Sequence, residues 1–144
     1  QERELIFNLG QFIDKNEPDK VLEELKSDHL TVPLSCLKIQ ATLLKQEFEK
    51  AGKELYHYPL EWHTKETTLL PFLYGVWLYE TEGKDLALIH FNGIAETAFP
   101  RTWTLGSLSL SGRLPDSWHE KAFWWEKHEL ERQLLFFKRV TNSE

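Results

Sequence analysis

Tyr56-His57-Tyr58-Pro59-Leu60-Glu61-Trp62-His63 sets large apolar side chains alternately with polar ones or proline. That two-residue period predicts a half-buried strand. Pro59 has no N–H to give to a ladder, so the strand is expected at a sheet edge. Downstream, Phe72 to Glu80 is apolar on both sides, as in a strand covered on both faces. Thr81-Glu82-Gly83-Lys84 then predicts a turn into a strand over Leu86 to Phe91. Asn92-Gly93 is the strongest short hairpin signal in the chain, because both residues accept positive φ. A further strand is expected from Ile94 towards Phe99, stopped by Pro100. Trp103 and Leu105 are out of phase with Leu108 and Leu110, and Gly106 between them suits a bulge. The segment 54–112 therefore reads as an antiparallel meander of four to five strands.

Helical periods flank this segment. Leu5, Ile6, Leu9, Phe12 and Ile13 fall on one helix face, and Pro18 suits the first turn of a second helix. Thr31 is placed to cap a third and longest helix, striped by Leu34, Leu37, Ala41, Leu44, Phe48 and Ala51 and stopped at Gly52. Residues 1–53 thus read as a helical hairpin or small bundle. At the other end, Ser117-x-x-Glu120 has the form of a capping box and predicts one long helix over 117–140. No internal repeat is evident in the sequence. The expected architecture is one α+β domain, 1–144: helical part, meander, then a C-terminal helix packed on the sheet.

Projection of the last helix at 100° per residue puts Phe123, Leu130, Leu134 and Phe137 on a core stripe. Trp118, Trp125 and Phe136 form a second apolar ridge, and Trp124 and Leu135 a third. A single sheet cannot cover so much of the circumference, so Trp118, Trp124, Trp125 and Phe136 are the candidate partner-binding residues. The chain carries six Trp and nine Phe among 144 residues.

The same aromatics turned inwards suggest an alternative, an apolar cavity between sheet and helix lined by Tyr74, Trp77, His90, Trp103 and Phe123. A second alternative is an enzyme built on His and carboxylate groups. His57 and His63 share a face with Glu61, with Glu66 close behind, and His119 and Glu126 project together on the last helix.

Several chemistries lack their residues. There is no G-x-x-x-x-G-K-[ST], no G-x-G-x-x-G, no H-E-x-x-H and no G-x-S-x-G. Ser107, Ser109 and Ser111 read as the hydrated face of an edge strand. The single Cys36 forms no intrachain disulfide and reads as a small buried hydrophobe, with the reducing cytoplasm as the default compartment. No structural metal and no cofactor are expected, since one Cys and scattered His make no four-ligand spacing. A net charge of −6 argues against nucleic acid as a partner. No apolar run reaches the length of a membrane span. The leading expectation is a non-enzymatic protein-binding module (an adaptor, an inhibitor or antitoxin-like protein, or an assembly subunit) that meets another protein or a second copy of itself.

Overall fold

The computed structural model describes residues 1–142, and among these the chain is all-helical. The α+β expectation is overturned: no strand is present among the described residues, and the segment read as a meander is helical. In order, the elements are α1 (Glu2–Asp14), α2 (Pro18–Glu24), α3 (Val32–Leu44), α4 (Phe48–Tyr56), a single turn of 3₁₀-helix (Leu60–His63), α5 (Leu70–Thr81), α6 (Lys84–Ala95), α7 (Leu105–Leu110), α8 (Asp116–Lys121) and α9 (Trp124–Thr141).

Short connections fold the chain into successive antiparallel pairs, α1/α2, α3/α4 and α5/α6. The turn after α1 closes with Asn16 N–H on the Ile13 carbonyl and Glu17 N–H on the Phe12 carbonyl. After α3 the same two bonds recur, from Gln46 to Leu43 and from Glu47 to Thr42. After α7 they recur again, from Gly112 to Ser109 and from Arg113 to Leu108. This is the Schellman arrangement, which needs a left-handed residue just past the helix. Asn16, Gln46 and Gly112 supply it with φ of 59°, 59° and 72°. The expected long third helix is therefore two helices. Gln46 breaks it, and Gly52 is not a stop but an interior residue of α4.

α1, α3, α5 and α7 pack in a row, α2, α4 and α6 flank it, and α9 lies across α1, α3, α5 and α7. α5 sits at the centre, against α3, α4, α6, α7 and α9. Its apolar residues on all sides follow from that position: a helix hydrophobic all round is a buried one. A short apolar run of this kind cannot be told from a covered strand by period alone. Leu70, Phe72, Leu73 and Val76 are fully buried. At Gly75 an added Cβ would lie 2.3 Å from the Phe91 ring, so only glycine lets α6 approach this closely. On α6, Ala87, Phe91 and Ile94 face inwards at helical spacing, and Asn92-Gly93 lies inside the helix. Burial of Phe91 outweighs the hairpin preference of that dipeptide, and a glycine inside a helix costs only about 1 kcal/mol.

The C-terminal segment is also corrected. Ser117 lies within α8, which ends at Lys121. Ala122 and Phe123 are extended, with ψ of 141° and 158°, and α9 starts afresh at Trp124. The Phe123 N–H donates to Glu126 Oε1 at 2.9 Å, so Glu126 caps the second helix rather than facing a core. α9 buries Leu130, Gln133, Phe136, Phe137 and Val140. Gln133 ties it to the row: its Oε1 accepts from the Gly106 N–H at 2.7 Å and its Nε2 donates to the Thr102 carbonyl at 2.6 Å. Arg132 reaches Asp14 of α1 at 2.8 Å, and Arg139 donates to the Asp14 carbonyl at 2.7 Å. Ser107, expected on a wet strand edge, is buried in α7. No described helix is long and apolar enough to cross a membrane.

Candidate functional site

Where α8 breaks and α9 begins, Phe123, Trp124 and Trp125 stand side by side, 64%, 79% and 48% exposed. The break creates this corner. Extended backbone at Ala122 and Phe123 separates α8 from α9 and puts the three rings at the exposed start of α9. The Phe123 and Trp125 rings lie parallel, 6° apart in plane and 6.1 Å between centroids. Trp118 on α8 is half-buried, edge-on to His119 at 5.0 Å, and its indole N–H is buried with no protein partner. Trp124 and Trp125 thus share one apolar corner with Phe123, while Trp118 lies on the preceding helix. Phe136 is outside that corner, buried against Phe72, with ring centroids 6.3 Å apart. Phe123, placed by projection on the core stripe, is exposed, and Leu134 is only half-buried. The projection assumed one unbroken helix, and the break resets both phase and direction.

The expected ligand cavity divides. Tyr74, Trp77 and His90 do come together, but as packed side chains joined by two residues the cavity reading omitted, Tyr56 and His63. The His63 ring stacks on Tyr74 at 4.6 Å and His90 meets Tyr74 edge-on at 5.1 Å. Tyr74 also stacks on Trp77 at 5.8 Å, and its hydroxyl lies 3.1 Å from that of Tyr56. Each ring nitrogen in contact goes to a backbone carbonyl: His63 Nε2 to Leu55 at 2.7 Å, His90 Nε2 to Pro71 at 2.7 Å, and Trp77 Nε1 to Phe48 at 2.7 Å. Burial, with the neighbouring Tyr56 hydroxyl, pushes the Tyr74 phenol up to about 12. Trp103 is elsewhere, its indole N–H donated to the Glu66 carbonyl. Phe123 is at the exposed corner. Among the described residues there is no sheet to roof the cavity.

The histidine and carboxylate candidates do not converge. His63 is fully buried, while His57 is exposed and edge-on to Tyr58. Glu61 is exposed, 4.0 Å from Lys65. His119 is exposed, and Glu126 is spent on the α9 cap. Among the described residues, no three His, Cys, Asp or Glu side chains gather as metal ligands would. Burial pushes the Cys36 thiol up to about 12, which makes it a poor nucleophile.

A surface cleft of about 300 Å³ opens between α3 and α4, with Leu30, Ile39 and Tyr58 among its walls and Lys38 and Lys50 at its rim. Glu54 lines it too, with both carboxylate oxygens covered. Burial raises the Glu54 carboxyl above its ordinary range, against the opposing pull of Thr42, Lys38 and Lys50. With its oxygens covered, Glu54 offers no accessible ligand group.

Over 111 residues, 77% of its length, the chain is 43% identical to Serine/threonine-protein kinase PknD of Protochlamydia amoebophila (strain UWE25). That stretch is 11% of the kinase, so the chain spans only a small part of the relative it matches. No protein-family model matches the chain, and no solved structure does.

Proposed function

We propose that this chain is a non-catalytic protein-binding module that docks another protein on the corner formed by Phe123, Trp124 and Trp125, with Trp118 of the preceding helix as a further contact. The carrying observation is the exposure of three consecutive large rings at one helix junction, whereas other exposed apolar side chains, such as Phe7 and Phe99, are single. Exposed clusters of this size are uncommon on idle surface, and Trp is the residue most enriched at interface hot spots. The occupant proposed is a partner protein presenting an apolar surface, in the cytoplasm.

The resemblance to a small part of a long kinase supports this reading. A protein kinase catalytic domain carries a G-x-G-x-x-G loop and an H-R-D motif. This sequence has neither. The shared stretch therefore suits an accessory region of such a polypeptide, one that brings substrates or regulators to it. A photo-crosslinker at position 127, one turn beyond the patch, tests the proposal. It should capture a defined protein partner that Trp124→Ala/Trp125→Ala no longer yields, at unchanged thermal stability. Capture that survives the double substitution would move the interface elsewhere.

A further inference from the structure

His63 is fully buried in the turn that joins α4 to α5. Its Nε2 is 2.7 Å from the Leu55 carbonyl, which can only accept, so Nε2 carries the proton. In a neutral imidazole Nδ1 is then a bare acceptor, and here it is buried without any partner. The ring is wedged between Tyr74, stacked on it, and Tyr56, edge-on at 5.2 Å. A second imidazole, His90, meets Tyr74 edge-on and is likewise bound through Nε2 to a carbonyl.

We propose that His63 is a proton-operated latch: neutral, it pins the 3₁₀ turn and the flanking residues 57–69 to α4 and α5, and protonated, it releases them. Protonation at Nδ1 would create a buried charge and a buried N–H with nothing to donate to. The titratable groups packed around the ring are Tyr56 from α4, Tyr74 from α5 and, through Tyr74, His90 from α6, with no carboxylate among them. Glu61 of the same turn points to solvent near Lys65. Burial accordingly lowers both imidazoles, outweighing the backbone hydrogen bonds that pull the other way, and His63 lowers His90 further.

The sign follows from linkage. An unfolded histidine titrates near pH 6.5, and the folded one below it. Between those values the open chain binds a proton that the closed latch refuses. The closed state is therefore fully favoured above about pH 6.5 and loses ground as pH falls beneath it. What is freed is the joint between the second and third helical pairs, together with Leu60 and the stacked Tyr58–Trp62 pair.

Hydrogen exchange on the full chain tests this, read at the Trp62, Thr64 and Lys65 amides, which bond to Pro59 and Glu61. After correction for intrinsic rates, their protection should fall several-fold between pH 7.5 and 5.5, towards the ceiling of about 10-fold that one proton allows, while α3 and α9 stay protected. In His63→Gln, whose amide can still donate to Leu55, the fall should vanish; in His90→Gln it should persist. Protection that ignores pH, a fall that survives in His63→Gln, or loss in all helices together would overturn the latch. Should His63→Gln not fold, the wild-type His63 imidazole titration by NMR decides. A midpoint below 6.5 that tracks the Trp62 amide supports the latch, and one at or above 6.5 refutes it.

Discussion

The molecule has two aromatic groupings of opposite design. In one, Tyr74, His63, His90 and Trp77 interlock between α4, α5 and α6, and their ring N–H groups end on backbone carbonyls. In the other, Phe123, Trp124 and Trp125 face water at the start of α9. Composition does not separate them, since both are stretches dense in aromatic residues. Helix junctions do. The first group lies where three helices converge and each ring is covered from another element. The second lies where the backbone extends for two residues and leaves the packed row. An aromatic side chain becomes core or surface according to whether a second element reaches it.

The contrast can be broken at several points. The largest effect is expected at Phe91, fully buried under α5 beside Phe72 and in the space that Gly75 leaves open. Phe91→Ala should destabilise the fold by about 3–5 kcal/mol in urea unfolding. A loss under about 1 kcal/mol would mean that α6 is not part of the core.

Next comes the polar clamp that fixes α9. Gln133→Ala leaves the Gly106 N–H and the Thr102 carbonyl without their partner, and both sit at the α7–α9 contact. The expected cost is about 1–3 kcal/mol, the penalty of buried groups left unpaired. Gln133→Glu should be harmful as well, because a carboxylate cannot donate to Thr102.

Trp124→Ala sharpens the comparison from the other side. At 79% exposure its removal should change stability by no more than about 0.5 kcal/mol, while association with the proposed partner should weaken by about 2 kcal/mol or more. Loss of folding on this substitution would show that the corner is structural.

The smallest effect is expected at the turn after α3. Gln46 holds a φ of 59° that glycine adopts without a steric penalty, although its side chain also donates to the Val140 carbonyl at 3.4 Å. Gln46→Gly should raise the thermal midpoint slightly, by well under about 1 kcal/mol of stability, as the relieved backbone outweighs that long bond.

The helical first third was legible because Leu9 and Ile13 recur on a helical period and Pro18 opens α2. Even there, the break at Gln46 was hidden, since a non-glycine residue in a left-handed turn leaves no compositional mark. The middle third was misread for reasons that particular residues expose. Tyr56 to His63 alternates, but Pro59 precedes a 3₁₀ turn, and the alternation comes from a helix end running into that turn. Leu70 to Thr81 is apolar on every side because five other helices surround it. The useful helical signal in this region, Ala87, Phe91 and Ile94 at spacings of four and three, was outweighed by the local attraction of Asn92-Gly93.

Trp118, Trp124 and Trp125 were singled out by surplus aromatic circumference on one projected helix, and the structure divides them between α8 and α9. Which rings were surplus depended on that helix being unbroken, so Phe123 and Phe136 exchanged places. His63 carried no signal of burial, because that arises from the way α4 and α5 close on the turn between them.

By itself the sequence determined that the chain has apolar material for one core, no motif for phosphate or nucleophilic chemistry, and more aromatic surface than a single packing face can absorb. These are properties of residue type and number. Tertiary structure decided whether an apolar run is strand or helix, and which aromatics are covered. Both depend on what packs against a segment from elsewhere in the chain. Local period cannot carry that information, because a segment buried on all sides loses the polar face that would have revealed its period.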